Sequence, residues 1–439
     1  MNSSSTRRVV VTGIGIVSPL GIGARAFWDA LLAGQSGISR ISSFDPSHFP
    51  SQLAGQVPPY KINDFVPKTY RKATKVMARD TELAVIAADD AFKDSGLQSK
   101  AHAETPSFNP TRFGCNIGAA LISADLAELT AAMHVAHSVE NPEQLDLNLW
   151  GTNGMSQLTP LWLLKYLPNM LASHVTIIHE LRGPSNNITC QDASSHLSIG
   201  EAFRILQRGD ADLAIAGGAE SRINHMGVMR QSLLNRLNTT NNDSPATAVR
   251  PFDSTAAGTI VGEGGALLIL EEYQHAVNRN AKIYAELVGF GASQDSYKVT
   301  DPAPDGRSYA NAISKALKDA NLPPAAVDCF IPHGLGIPSH DRAELAALNQ
   351  VFGAGLSKLP LAPIKSQIGN LAAGCAVDAA AAILSLHHNQ LPPSPNTKTP
   401  LDNIPLNTSP TPRNQPVNVA ISSVYSLGGQ NAALVFKKI

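Results

Sequence analysis

Cysteine is scarce in this chain of 439 residues, which has only four, and no two of them lie close enough to form a Cys-x-x-Cys motif. The spacing excludes the common zinc and redox sites built on that motif. Sparse, scattered cysteines are typical of proteins kept in a reducing compartment. We therefore expect a cytoplasmic protein with no metal site.

An excess of either charge is also lacking, because 34 Lys and Arg balance 35 Asp and Glu. The balance gives no electrostatic reason to expect nucleic acid or an anionic membrane as a partner. No run of 18 apolar residues occurs, so no membrane-spanning helix is expected. Arg7 and Arg8 precede an apolar run, but glycines interrupt it from Gly13 onward, which argues against a signal peptide.

Short apolar stretches bounded by glycine alternate with amphipathic stretches along most of the chain. This alternation predicts an α/β protein with mostly parallel sheets covered by helices. Polar or proline-rich segments are predicted as surface loops: 99–112, 136–157, 236–247 and 392–416. The predicted strands are 8–12, 114–118, 212–216, 265–270, 283–288, 327–331, 417–422 and 432–437, and the predicted helices are 26–33, 80–92, 194–208, 309–320, 342–352 and 376–389.

The segment Gly13-Ile14-Gly15 begins like a dinucleotide-binding loop, but its sixth position is Ser18 rather than glycine. Without the third glycine, the segment is predicted to be a tight turn that ends the first strand. No nucleotide and no other cofactor is expected.

A series of motifs in one order resembles the β-ketoacyl-acyl-carrier-protein synthase (ketosynthase) family of the thiolase superfamily, in its synthase II-like branch. The motifs are Val10–Gly15 with Ser18–Gly21, Arg182–Ser185, Gly209–Glu220, Arg250–Asp253, Gly262–Gly265, His333-Gly334, Lys365-Ser366 and Gly428–Asn431. The resemblance implies a five-layered αβαβα thiolase-like fold of two similar halves, 1–272 with the nucleophile position and 273–439 with the His, Lys and Asn loops. It also implies a dimer, a substrate tunnel near the interface and an acyl carrier protein as partner.

One position departs from the chemistry of that family. Its pattern has a nucleophilic cysteine nine residues after the glycine of Gly-Pro-Ser, and a further glycine eight residues later. Gly183 and Gly200 are 17 residues apart, so the pattern fits without a gap and Asp192 stands at the nucleophile position. A carboxylate forms no thioester, and its charge would repel a malonyl carboxylate unless a raised pKa kept it neutral.

Several interpretations of Asp192 remain open at this point. Asp192 is a good N-cap for the following helix, and it is also a conceivable nucleophile through an acyl anhydride. Cys190 is the nearest thiol, but it lies two residues earlier, a displacement of roughly 6–7 Å along an extended chain. Cys190 would also lose the helix terminus that favours a thiolate.

The resemblance carries over other site residues. His333 and Lys365 match the family's first histidine and its lysine, and Asn370 replaces the second histidine, as in chain-initiating and plant-type condensing enzymes. Leu335 and Ile337 replace threonines, which predicts weaker polar support for the histidine loop. The family's gating phenylalanines become Tyr425 and Leu427, in a turn predicted to line the tunnel and present an oxyanion donor: Tyr425, Ser426, Leu427 and Gly428.

The departures together favour a non-condensing, chain-length-factor-like subunit of fatty-acid or polyketide synthesis, although such factors usually carry glutamine at position 192. It would pair with a cysteine-bearing ketosynthase as a heterodimer, or with itself, and the apolar segment 161–171 is the predicted contact. The alternatives are a malonyl-carrier-protein decarboxylase that uses His333 and Asn370, an acyl-chain-binding protein, and an active synthase that uses Cys190.

Overall fold

The computed structural model describes residues 7–138 and 140–439. Its helices are α1 (Ala24–Leu32), α2 (Arg79–Ser95), α3 (Leu126–His134), α4 (Leu147–Leu149), α5 (Met170–His179), α6 (Ser194–Arg208), α7 (His225–Leu233), α8 (Tyr273–Asn278), α9 (Arg307–Asp319), α10 (Pro338–Phe352), α11 (Lys365–Ile368) and α12 (Ala376–His388). Its strands are β1 (Val9–Ser18), β2 (Gly21–Ile22), β3 (Ile38–Arg40), β4 (Leu53–Gly55), β5 (Phe113–Ala119), β6 (Ser185–Thr189), β7 (Leu213–Ser221), β8 (Val261–Glu272), β9 (Ala285–Gln294), β10 (Cys329–Ile331), β11 (Gln390–Leu391), β12 (Arg413–Asn414), β13 (Val419–Tyr425) and β14 (Gln430–Lys437).

The main strands form two sheets that meet along one edge. The first has the order β6-β5-β7-β8-β1, and the second has the order β9-β14-β13-β10. Strands β1 and β9 join them through a short antiparallel pairing, in which Val9, Val10 and Val11 lie opposite Leu287, Glu286 and Ala285. The two sheets therefore make one continuous hydrogen-bonded surface.

Helices cover both sheets and also separate them. Helices α2 and α5 pack outside the first sheet, and α9 and α10 lie on the outer side of the second. Helices α6 and α12 lie between the sheets and contact strands of both. Apolar residues of α6 recur at helical spacing (Ile199, Ala202, Phe203 and Leu206) and are buried in this middle layer.

The two halves repeat one topology. In each half the inner strand, β1 or β9, is followed across the sheet by two antiparallel neighbours and then by a parallel strand. Helices α6 and α12 precede the equivalent strands β7 and β13. The predicted five-layered fold of two similar halves is confirmed.

The prediction of mostly parallel sheets is wrong. Among the described strands, the parallel pairs are β5 with β6 and β7, β10 with β13, and β4 with β8. Strands β7 and β8, like β13 and β14, are consecutive antiparallel neighbours whose connections do not cross the sheet. The alternation of strands and helices in the sequence does not distinguish a connection to an antiparallel neighbour from a crossover connection between parallel strands.

The prediction that Gly13 and Gly15 end the first strand is wrong. Strand β1 continues through Gly13 and Gly15 as far as Ser18, with a shift of register against β8 between Val11 and Gly13. An added Cβ at Gly15 would lie 1.9 Å from the carbonyl oxygen of Ala87 in α2. These glycines therefore let the main chain of a helix approach the main chain of a strand, and they do not make the predicted tight turn.

Glycines also allow close contacts between main chains in the middle layer. An added Cβ at Gly118 in β5 would lie 2.5 Å from the main-chain carbon of Ser194, where α6 begins. At Gly218 in β7 it would lie 2.3 Å from the carbonyl oxygen of Ala373, just before α12. Both contacts lie beneath the segments that carry the candidate site residues.

We expect the substitution Gly15→Ala to lower the free energy of unfolding by about 1–3 kcal/mol, because α2 must move away from the sheet to admit the methyl group. Denaturant titration followed by circular dichroism measures this loss. Gly151→Ala is the matched control, since a Cβ there meets no atom within 4 Å. An equal loss in both variants would contradict main-chain contact as the cause.

Most other elements follow the sequence prediction within a few residues, and the bounds of α6 match it. The predicted loop over 136–157 contains α4 and a helical turn at 150–154, and it is described except at residue 139. None of the described helices is long and apolar enough to cross a bilayer.

Candidate active site

Four connecting segments converge near the start of the two middle-layer helices. They are the turn 191–193 before α6, the loop 333–337 after β10, the loop 369–375 before α12, and the turn 426–429 between β13 and β14. The candidate residues that the sequence places far apart are thereby brought together: Asp192, His333, Lys365, Asn370 and Tyr425.

Asp192 is fully buried in a one-turn 3₁₀ segment, after the left-handed backbone of Gln191 (φ 52°). Its Oδ1 accepts a hydrogen bond of 2.8 Å from the side-chain amide of Asn370, and its Oδ2 lies 3.5 Å from Nη2 of Arg222. Helix α6 begins at Ser194 and receives no side-chain cap. The interpretation of Asp192 as an N-cap is therefore wrong, because its carboxylate points into the site.

The charge of Asp192 is compensated by Arg222. Burial alone would raise the pKa of the Asp192 carboxyl, but the nearby Arg222 and Arg236 and the Asn370 hydrogen bond together hold this pKa below its usual range. Arg222 is itself buried, and it donates to Glu220 Oε1 and to Gln191 Oε1, each at 2.9 Å. Asp192 is therefore an anion within a buried ionic network, and the raised pKa that would keep it neutral does not occur.

His333 lies on the other side of this carboxylate. Its Nε2 is 3.8 Å from Asp192 Oδ1, and its ring makes an edge contact with Tyr425, with centroids 4.7 Å apart. Burial and the charge of Lys365 lower the pKa of His333 well below its usual value, so the imidazole is neutral at neutral pH. Among the described residues neither ring nitrogen has a hydrogen-bond partner.

The expectation of weak polar support for the histidine loop is wrong. Glu344 accepts hydrogen bonds of 2.8 Å from the backbone N–H groups of His333 and Gly334. Asp341 accepts from the N–H groups of Leu335 and Gly336 at 3.1–3.2 Å. Hydrogen bonds from the main chain of this loop to two buried carboxylates of α10 provide the polar support that threonine side chains were expected to give. The acidic residues in the first two turns of α10 were the sequence feature that could have predicted this support.

Asn370 uses both polar atoms of its side chain within the protein. Its Nδ2 donates to Asp192, and its Oδ1 accepts from the N–H of Ala372 at 3.0 Å. Nδ2 carries a second N–H group, which donates to no acceptor among the described residues.

Lys365 forms a buried ion pair with Asp378 of α12. Burial opposes the charge on Lys365, but the adjacent carboxylate outweighs burial and raises the lysine pKa. Cys375, which precedes α12 and is not among the residues predicted for the site, lies against this pair. Burial raises the pKa of its thiol, so the sulfur is protonated at rest.

Three side chains are close enough to share a metal ion. Ligand atoms of His333, Cys375 and Asp378 all lie within 4.8 Å of one another, and nitrogen, sulfur and oxygen donors suit Zn²⁺. However, the Lys365 ammonium already pairs with Asp378, and a second cation would compete with it. The geometry therefore favours the ion pair over a metal centre.

The glycine turn is engaged in hydrogen bonds of its own. The N–H of Ser426 donates to the carbonyl of Gln430 at 2.9 Å, and the N–H of Gly428 donates to the carbonyl of Val299 at 2.8 Å. Leu427 lines a small cavity of about 160 Å³ together with Gln191 and Arg222. Of the four residues predicted to line the tunnel, Tyr425 and Leu427 therefore lie beside site residues, and the N–H groups of Ser426 and Gly428 are already used.

Cys190 is half-buried directly after β6, and its N–H donates to Ser194 Oγ at 2.7 Å. Burial raises the pKa of its thiol. These surroundings disfavour the thiolate that a nucleophile needs.

Comparison with known proteins places this geometry in a family. The sequence profile of the β-ketoacyl synthase N-terminal domain matches residues 6–276, and that of the C-terminal domain matches residues 284–398. The chain belongs to the β-ketoacyl synthase family. It is 35% identical over 439 residues to a 3-oxoacyl-[acyl-carrier-protein] synthase 2 of Vibrio harveyi, with 99% of each chain covered.

Solved β-ketoacyl synthase structures resemble the chain over its whole length. One is the ishigamide ketosynthase/chain length factor, with a TM-score of 0.84, 25% identity, and coverage of 99% of this chain and 100% of that one. Another is a type II polyketide synthase acyl-carrier protein in complex with its ketosynthase, with a TM-score of 0.82, 26% identity and the same coverage.

Proposed function

We propose that the chain is a non-condensing β-ketoacyl synthase homologue that acts as a chain-length-factor-like partner of a cysteine-bearing ketosynthase in fatty-acid or polyketide synthesis. The observation that carries this proposal is the state of Asp192. Its carboxylate is ionised, buried and bonded to Asn370, with Arg222 beside it. The residue at the nucleophile position therefore offers an ionised carboxylate, and no thiol, to an incoming acyl group.

The electrostatics of the site disfavour condensation further. The Asp192 anion occupies the position where an acyl thioester would form, and it accepts a hydrogen bond from one of the two amide N–H groups of Asn370. The neutral His333 and the second N–H of Asn370 remain as donors, but the buried Asp192 anion, 3.8 Å from His333 Nε2, repels both a malonyl carboxylate and a developing enolate. The same repulsion disfavours the alternative of a malonyl-carrier-protein decarboxylase, because that enzyme would have to hold a malonyl carboxylate near the Asp192 anion.

An unpaired sheet edge supports the pairing part of the proposal. Strand β6 is the last strand of the first sheet in the described part of the chain, and its residues are exposed or half-buried while β5 and β7 are buried. Large apolar side chains in nearby segments are exposed: Leu121, Leu147, Met155, Leu161, Leu163 and Ile177. A sheet edge beside an apolar face suits a second chain of the same fold.

The acyl carrier protein is the second proposed partner. One solved relative is a ketosynthase in complex with such a carrier, and another pairs a ketosynthase with a chain length factor. The chain is proposed to contribute to docking of the carrier protein or to the walls of the substrate tunnel, while the partner ketosynthase supplies the nucleophilic cysteine.

The test combines oligomeric state with condensing activity. The purified chain should form 3-oxoacyl product from acyl- and malonyl-carrier protein at least about 10⁴-fold more slowly than a cysteine-bearing synthase, and Asp192→Ala should not slow it further. Co-expression with a cysteine-bearing ketosynthase should give a heterodimer by light scattering, with activity that depends on the partner's cysteine. Condensation by this chain alone that is abolished in Asp192→Ala would refute the proposal, and CO₂ release that is lost in His333→Ala would favour the decarboxylase.

A further inference from the structure

A cavity of about 720 Å³ lies outside the candidate active site, and none of the residues assigned to that site lines it. It is bounded by the residues that follow β5, by the end of β7 and the residues after it, by the start of α2, and by the segments 42–44 and 56–59. A cavity of this size is within the range of small-molecule sites. Its lining residues therefore indicate which ligand chemistry it suits.

A buried carboxyl group with one free oxygen contributes to this cavity. Asp80, in the first turn of α2, is 5% exposed and is one of the lining residues. Its Oδ1 accepts a hydrogen bond of 3.1 Å from the N–H of Ser221 in β7. Its Oδ2 accepts none from another described residue and is not enclosed by protein atoms. Because buried polar groups usually have their partners within the protein, this free oxygen points to a ligand.

The positive charges that line the cavity are already paired. Arg79 binds Glu263 through two hydrogen bonds, of 2.7 and 3.0 Å. Lys165 forms an ion pair with Glu128. Neither cation is therefore free to bind an anionic ligand.

Two acidic residues of the cavity have no such partner. No cation of the described chain lies within ion-pair distance of Asp80 or Asp125, and Asp125 is exposed. Arg230 of α7 is nearby, but its guanidinium donates to Ser123 Oγ at 2.6 Å and does not reach the Asp80 carboxyl. The uncompensated charge of the cavity is therefore negative, which favours a cation.

The walls of the cavity suit an organic ligand. The rings of Phe44, Tyr166 and His225 line it, with the centroids of Phe44 and His225 4.3 Å apart. Met77 and Ile122 add apolar side chains. Aromatic faces attract cations, whereas a hard metal ion prefers a cage of several oxygen ligands. The lining therefore favours an amine with an apolar or aromatic group over a hydrated metal ion.

We propose that this cavity binds a small organic cation, a protonated amine with an apolar or aromatic group, through an ion pair between its ammonium and Asp80. The amine nitrogen donates to Oδ2, while Oδ1 keeps its hydrogen bond from Ser221. None of the residues on which the proposed non-condensing function rests takes part. Each of the two inferences can therefore fail without the other.

The protonation of Asp80 couples this binding to pH. Burial and the charges of Glu220 in β7 and Glu263 in β8 raise the pKa of Asp80 to about 7, while the N–H of Ser221 opposes them. A bound ammonium favours the carboxylate form, as does the more distant Arg230. Binding should therefore release a proton, and affinity should rise roughly tenfold from pH 6 to pH 8 as the free carboxyl ionises.

The test measures binding of three probes to the full-length protein by calorimetry: benzylammonium chloride, benzyl alcohol, which has a similar shape without the charge, and magnesium chloride. Asp80→Asn removes the charge and keeps an oxygen that can accept from Ser221. Asp90→Asn is the matched control, because Asp90 also lies in α2 and accepts a main-chain N–H, from Ile16 at 3.1 Å. Burial raises the pKa of Asp90 to about 6, but this residue lines a different cavity.

We expect Asp80→Asn to weaken benzylammonium binding at least roughly tenfold, as the loss of a charge-assisted contact predicts. Asp90→Asn should bind the probe like the native protein. Lack of benzylammonium binding at millimolar concentration, or equal affinity in Asp80→Asn, would overturn the proposal. So would Mg²⁺ binding that is tighter than benzylammonium binding and is lost in Asp80→Asn.

Two measurements on the native protein decide the proposal even if Asp80→Asn does not fold. Benzyl alcohol should bind at least roughly tenfold more weakly than benzylammonium, since it lacks the charge. Benzylammonium stays protonated from pH 6 to pH 8, so its affinity over that range reports on the protein. Equal affinity for the two benzyl probes, or an affinity that does not rise with pH, would contradict an ion pair with Asp80.

Discussion

Replacing Asp192 with alanine should lower the free energy of unfolding by about 3 kcal/mol at neutral pH. The substitution removes one member of a fully buried network and leaves Arg222 and the Asn370 amide without their anion. Loss of one partner from a buried ion pair typically costs 3–5 kcal/mol. The lower end applies because Glu220 continues to bond to Arg222 at 2.9 Å. Urea titration measures the difference.

The pH dependence of this loss has a definite sign. The pKa of Asp192 in the folded protein is below its usual range, so its stabilising contribution is present above the unfolded pKa of about 4 and disappears as pH falls through the folded value. The native protein and Asp192→Ala should therefore converge in strong acid. Asp29→Ala is the control, since the exposed Arg25–Asp29 pair should contribute less than about 1 kcal/mol. Equal losses in both variants would contradict the buried network.

Replacing Lys365 with methionine should cost about 3–5 kcal/mol at pH 8, because it leaves Asp378 buried without a cation. Both side chains of the native pair are 1% exposed. Without Lys365, burial should raise the pKa of Asp378 in the folded protein above its unfolded value. That group then stabilises the fold at low pH and ceases to do so as pH rises, so the deficit of the variant should be larger at pH 8 than at pH 5.

Lys282→Met provides the comparison for Lys365→Met. Lys282 also contacts an aspartate, Asp94 at 2.6 Å, but its side chain is 45% exposed. A loss below about 1 kcal/mol with little pH dependence is expected there. A deficit in Lys365→Met that shrinks as pH rises would contradict the assignment of Asp378 as the stranded group.

The fold could be predicted largely because its helices and strands carry local signals. The bounds of α6 follow from its apolar spacing and from Gly209, which ends it with a left-handed backbone (φ 81°). The glycines of β1 led to a wrong prediction, because glycine is typical both of turns and of close contacts between main chains. In β1 the close contact is with α2, a helix more than 60 residues away in sequence, so it could not be predicted from the local sequence.

The candidate site was predictable to the extent that it follows a motif. Asp192 was located by spacing, and His333, Lys365 and Asn370 by resemblance to the family's motifs; the structure brings the four together. The partners that determine the charge state of Asp192 were not predictable. Arg222 and Arg236 occupy no position of the recognised pattern, and their proximity to Asp192 depends on how the segment after β7 folds back.

Gly118 and Gly218 fix the distance between the two segments that carry positions 192 and 370. The contacts run from main chain to main chain, at Ser194 and at Ala373, so they use atoms that every residue possesses. These two contacts therefore do not depend on which side chains stand at positions 192 and 370. A substitution at position 192 or 370 can therefore change the charge and reactivity of the site while these main-chain contacts, and the spacing they set, are kept.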